Sequence, residues 1–266
     1  MASDLIFYLV GGLAVFVLGL SKGGFAGVGM VSTPLLALVI GPVSAAGLIF
    51  PILIVQDVVA VAMYRRSFSA AILATMLPGA AAGVLMAYLL TSAVPEWAVE
   101  IVLGAGSIVF AVHQLIRQFG RSRYRRSKPG GVSWLGVVCG AGAGFTSMIA
   151  HAGSPPFQFY VMPKGLDRDT YVGTSVLFFA VINIMKAPAF FALGQLTANH
   201  LKATGVFVPL AIASSWLGVR LVQAIDVQKF NVVITLILLG VGVALTAQGV
   251  LGFGQTHSWL HERWHR

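Results

Sequence analysis

The chain is poor in charge, in acidic residues and in cysteine. Of its 266 residues only 9% are Asp, Glu, Lys or Arg, against 58% hydrophobic, and the mean hydropathy is +0.89. A soluble domain carries about a quarter of its residues as charges. The composition therefore excludes an ordinary soluble domain and requires an integral membrane protein. A single cysteine, Cys139, excludes an intrachain disulfide and a multi-cysteine metal site. The six histidines show no metal-ligand spacing such as His-Glu-x-x-His, so neither metal nor cofactor is expected. Eight acidic against seventeen basic residues leave a formal charge of +9. That excess does not point to nucleic acid, because the basic residues sit in short stretches between apolar runs, where they set membrane orientation. The N-terminus, Met-Ala-Ser-Asp, lacks the basic stretch and the cleavage pattern of a signal peptide. The first apolar run is thus expected to stay in the mature chain.

What the chain has in quantity is apolar runs. They lie near residues 5–20, 30–41, 43–64, 68–91, 95–116, 132–150, 155–163, 170–193, 199–222 and 229–252. A spanning helix needs about 20 apolar residues. Eight runs are expected to span, while 30–41 and 155–163 are too short to cross alone. Each short run follows a glycine-rich break and is the second of five segments in its half. The layout predicts an all-α membrane protein with two related halves, 1–116 and 132–252. A basic cytoplasmic linker, 117–131, joins them, and an interfacial tail, 253–266, carries Trp259 and Trp264. Laying Phe25–Pro34 beside Phe145–Pro155 gives an offset near 120 and brings Asp57 roughly opposite Asn183.

With five crossings per half and both termini outside, every Lys and Arg except Lys186, Lys202, Arg263 and Arg266 falls on the cytoplasmic side, Lys22 among them. Counting the short segments as merely re-entrant, with four crossings per half, moves Lys164, Arg168, Arg220 and Lys229 outside. The positive-inside rule prefers five plus five, and an odd number per half inverts the second half relative to the first.

The polar residues gather at the breaks and at two depths inside long runs. Lys186 lies deep in the run 170–193, where an ionisable side chain is a functional candidate by default. A cation there suits an anion; the structural alternative is an ion pair with Asp57 that joins the halves, and Asp57 then also serves as a gate that neutralises Lys186 until substrate arrives. Asn183, one turn before Lys186, and Gln56, beside Asp57, offer amides to oxyanions or simply link helices. At the first break stand Lys22, Gly27 and Gly29; at the second, Thr146, Ser147, His151, Gly153 and Ser154. Glycines let backbone approach a ligand or a neighbouring helix, and helix starts offer N–H groups to anions. His151 is a candidate for proton coupling, or a neutral ring bonding a freed carbonyl. A pair of Gly/Pro-interrupted short segments in matching places points to a transporter's binding site. Ser147 and His151, four apart, with Ser154 close by, leave an intramembrane serine hydrolase open as the alternative, although no Gly-x-Ser-x-Gly elbow is present. An anion channel is a further alternative.

These residues carry a resemblance. Gly19-Leu-Ser-Lys-Gly-Gly-Phe-Ala-Gly-Val-Gly29, the run from Phe145 to Pro156, Tyr160-Val-Met-Pro163 and Gly173-Thr-Ser…Asn183-Ile-Met-Lys186 with Gly194-Gln-Leu196 resemble the TauE/SafE family of sulfite exporters over about residues 8 to 250. Ser154 stands where relatives commonly carry glycine, which adds a hydroxyl. The resemblance implies a multi-pass carrier of the bacterial inner membrane that exports sulfite or an organosulfonate. Its partners would be that small anion and lipid. The expected site combines Lys186 as countercharge with Asn183, Thr146, Ser147, Ser154 and backbone groups near Gly27, Gly29 and Gly153.

Overall fold

The computed structural model describes residues 2–23, 27–91, 95–119, 133–221 and 227–264. The basic linker lies, from residue 120 onward, outside the described residues, as do the side chains of the tail from residue 254. Each apolar run forms one helix: α1 (Ala2–Ser21), α2 (Ser32–Ile40), α3 (Pro42–Tyr64), α4 (Ala70–Thr91), α5 (Glu96–Phe119), α6 (Trp134–Ala150), α7 (Ser154–Val161), α8 (Arg168–Ala192), α9 (Ala198–Leu221) and α10 (Val227–Trp264). Short 3-10 turns at Val28–Val31 and Met162–Lys164 precede α2 and follow α7. No strand occurs among the described residues.

Local chemistry sets the boundaries. Gly41, at φ 78, turns the chain before Pro42, whose missing N–H suits the first position of α3. Asp167 accepts a hydrogen bond from the Thr170 N–H and caps α8. The backbone of α10 stays helical to Trp264, so the tail continues that helix.

Among the described residues, six helices are long and apolar enough to cross a membrane: α3, α4, α5, α8, α9 and α10. The expectation of eight fails at α6, whose apolar helix is limited to Trp134–Ala150. A helix of 17 residues reaches about 26 Å, short of the roughly 30 Å hydrocarbon core, because the break ends it early. α1 runs over 20 residues, of which Leu5–Ser21 form the described apolar part.

The short helices fold back. The Ser32 hydroxyl donates to the Ala14 carbonyl, and Gly29 lies against Leu18 and Ser21, so α2 runs antiparallel beside α1. In the same way Gly153 abuts Ala143 and Ser147, Pro156 abuts Gly142, and the Tyr160 ring covers Gly136, so α7 returns along α6. Each half thus holds three long helices and one hairpin. A hairpin leaves the chain on the side it entered, as two crossings do, so charge sidedness is the same whether α1–α2 and α6–α7 cross or turn back.

The main packing pairs map onto one another when the first five helices are exchanged with the last five. α4 packs on α6 as α9 packs on α1; α3 packs on α9 as α8 packs on α4; α3 meets α8, and α5 meets α10. The α4–α6 contact is the most extensive. Gly79 and Gly83 face the carbonyls of Val137 and Ala141, while Gly140 and Gly144 face those of Met76 and Ala80; a Cβ at any of them would come within about 2 Å of oxygen. Small residues spaced by four let helices approach to backbone contact in a membrane, where dispersion replaces the hydrophobic effect. At the centre α3 and α8 run antiparallel, with the Phe50 and Phe190 rings stacked 4.4 Å apart.

Candidate functional site

Each hairpin tip brings one basic side chain to one of the two central helices. Lys22, directly after α1, reaches α3: its Nζ donates to Asp57 Oδ1 at 2.6 Å. His151, directly after α6, reaches α8: its Nδ1 lies 2.9 Å from Lys186 Nζ. Lys22, Asp57 and Lys186 are 9%, 4% and 0% exposed. Asn183 links the two arrangements, because its Nδ2 donates to Asp57 Oδ2 at 2.5 Å. The offset that set Asp57 opposite Asn183 thus corresponds to a contact.

The expected Asp57–Lys186 pair is not formed. The Asp57 oxygens are taken by Lys22 and Asn183, and the Lys186 ammonium is held elsewhere. Its three N–H groups point to the Ser147 carbonyl and Oγ, both at 3.1 Å, and to His151 Nδ1. The rings of Phe50 and Phe190 each lie 5.9 Å from Nζ and wall it off further. The gating expectation, in which Asp57 directly neutralises Lys186, loses its contact. Sequence gives depth along a helix and leaves open which neighbour a side chain meets.

The partners of His151 determine its tautomer. Nδ1 faces an ammonium, which only donates, so Nδ1 accepts. The proton then sits on Nε2 and donates to the Ala46 carbonyl at 3.0 Å. The ring is neutral, stacks on Phe190 at 5.7 Å, and has no nitrogen left for a serine. A serine–histidine pair is therefore not assembled. His151 also takes φ 53, a left-handed backbone uncommon outside glycine. Its N–H bonds the Ser147 carbonyl, and that of Ala152 reaches Thr146 O, so the turn ends α6 and aims the imidazole inward. With both lysines protonated, Asp57 ionised and His151 neutral, the buried cluster sums to one net positive charge.

Beside this cluster lies a partly polar cavity of about 80 Å³. Lys22, Gly27, Gly29, Ser147, His151, Ser154 and Asn183 line it. Seven of the residues singled out at the breaks and on α8 therefore meet around one space. Lys186 stands behind the wall and touches the cavity's rim only through Ser147 and His151. Of the other candidates, Thr146 turns its hydroxyl back to the Gly142 carbonyl and lines a separate, apolar cavity of about 490 Å³. Gln56 donates to the Val15 carbonyl at 3.1 Å and ties α3 to α1. Gly153 packs against the Ala143 carbonyl and the Phe179 ring. The start of α7 is a poor anion seat, because Pro155 and Pro156 have no N–H. Gly27, at φ 88, allows the first break to turn toward α7, and a Cβ there would meet Phe110 and the Gln158 amide.

Ser21 and Ser175, which sequence reasoning passed over, also reach the cavity, as does Gln158, which the sequence places beside the site as the lone amide in a short apolar helix, one turn after Ser154.

No cluster of His, Cys, Asp or Glu among the described residues forms a metal site. No curated protein and no solved structure matches the chain. A family match does cover residues 11–245, which include both hairpins, the six long helices in large part and every residue around the cavity, and its description is sulfite exporter TauE/SafE. The chain, a multi-pass membrane transporter, belongs to the TauE/SafE sulfite exporter family.

Proposed function

We propose that the protein is a secondary carrier that exports a small sulfur oxyanion, sulfite or an organosulfonate, through the cavity between the two hairpin tips. The observation that carries this reading is the charge of the buried cluster. Among the described residues Lys186 has no acidic partner, and an uncompensated cation at membrane depth is costly unless an anion joins it. Lys22 is the direct ligand: it lines the cavity, and Asp57 occupies one of its three N–H groups. Lys186 acts through the field and by orienting Ser147 and His151. Asn183, Ser147 and Ser154 complete the polar wall.

Alternating access follows from the two-fold arrangement. The halves 1–116 and 132–252 are read as inverted repeats, supported by the exchangeable packing pairs and by the antiparallel central helices. With the N-terminus outside, three long helices and one hairpin per half keep Arg65, Arg66, Lys164, Arg168, Arg220 and Lys229 on the cytoplasmic side, as the positive-inside rule prefers. Only Lys22 changes place: it now lies at membrane depth beside Asp57. The membrane is the bacterial inner membrane.

The test is sulfite efflux from liposomes containing the purified protein, with taurine, sulfoacetate, sulfate and thiosulfate as competitors. Saturable flux with counterflow is expected. Linear, non-saturating flux would indicate a channel, and absence of flux or competition by all these anions would overturn the anion reading.

A further inference from the structure

Gln158 is 2% exposed, and it lines the polar cavity from the second hairpin. Neither its Nε2 nor its Oε1 has a hydrogen-bond partner among the described residues. The amide crosses toward the first hairpin, where a Cβ on Gly27 would lie 3.2 Å from Nε2. A buried amide with both ends unpaired is expensive unless something in the cavity satisfies it. Other buried amides in the centre are used at least in part: Asn183 donates to Asp57, and Gln56 donates to Val15 and leaves only its Oε1 unpaired.

An amide presents a donor and an acceptor side by side. The ligand that satisfies both carries an acceptor oxygen and a hydrogen on the neighbouring atom. The net charge of the cluster is +1, which a single negative charge balances. A dianion fails on both counts. It leaves a net negative charge in a buried site, and it sets a bare oxygen against Oε1.

We propose that Gln158 is a substrate-binding residue that selects singly charged sulfur oxyanions bearing a hydrogen-bond donor, such as hydrogen sulfite or a hydroxylated sulfonate, over dianions and over donor-free sulfonates. This rests on the anion reading of the same cavity. Gln158 sets specificity, while Lys22 and the charge of Lys186 supply attraction common to all anions.

The experiment compares inhibitors of sulfite flux in proteoliposomes at one pH. Hydroxymethanesulfonate, methanesulfonate and sulfate are the probes, against the unmodified protein and Gln158→Met, a replacement of similar volume. In the unmodified protein hydroxymethanesulfonate should compete about tenfold more strongly than methanesulfonate, the worth of one hydrogen bond, and sulfate should be the weakest. In Gln158→Met the tenfold preference should vanish, the KM for sulfite should rise about tenfold, and kcat should stay within about twofold. An unchanged preference in Gln158→Met overturns the proposal. Should that variant fail to reach the membrane, the unmodified protein still decides: equal competition by the two sulfonates, or strong competition by sulfate, overturns it. A protein that carries sulfite but ignores Gln158 leaves the anion reading standing. One that carries none of these anions removes both.

Discussion

The two hairpin tips do the same job in opposite ways. After α1, Lys22 meets the carboxylate of Asp57 and their charges cancel. After α6, His151 meets the ammonium of Lys186, and a neutral ring leaves that charge intact. The first arrangement borders the cavity and keeps N–H groups in reserve; the second is sealed behind Ser147 and two phenylalanine rings with none to spare. On the proposed reading, one scaffold position, used twice, separates the group that touches an anion from the group that holds the site's net charge. The halves also differ where their central helices begin: α3 starts on Gly41–Pro42, whereas α8 has a side-chain cap in Asp167.

Breaking each side of this comparison should have a different signature. Asp57→Asn strands the Lys22 charge, and loss of one partner of a buried pair costs about 3 kcal/mol or more. Thermal melting in detergent should show the drop, and Lys22→Met added to Asp57→Asn should recover most of it. Lys186→Met removes a buried cation without stranding an opposite charge, so its melting temperature should fall far less than that of Asp57→Asn. Its sulfite flux should nonetheless drop about a hundredfold, the order expected for loss of a charge-assisted interaction. Stability lost together with flux in this variant would make Lys186 a structural residue. His151→Asn tolerates the left-handed backbone but reaches neither Ala46 nor Lys186 as the ring does; about a tenfold loss of flux is expected. Nitrogen NMR on the unmodified protein should find the ring proton on Nε2, and an Nδ1–H tautomer would contradict the geometry. The smallest effect belongs to Asp167. The Thr170 N–H holds its carboxyl below the ordinary range. The cap therefore stabilises α8 at neutral pH and is lost as pH falls through that lowered value. Asp167→Ala should melt slightly earlier at neutral pH and match the unmodified protein in acid.

Much of this was legible in the residues. Runs of apolar side chains fixed the ten helices, since length and glycine or proline punctuation act locally. The internal offset set Asp57 roughly opposite Asn183 as matching positions, while the contact between them is a matter of packing. The partner of Lys186 was not legible, because two helices at one depth still have a rotation that only packing decides. Nor were the hairpins, because parity made them equivalent to crossings for every charged loop except the tip that carries Lys22. Thr146 looked like a cavity residue from its place at the break, yet its hydroxyl is spent on the carbonyl one turn back.

The single uncompensated charge has a consequence for how voltage acts on the cycle. On the proposed reading, a singly charged anion brings the cluster to zero, so the loaded site reorients through the field without moving net charge. The empty site carries +1. Membrane potential, worth about 2.3 kcal/mol per elementary charge per 100 mV across the full drop, therefore weighs on the return of the empty carrier and leaves the step that moves the anion alone.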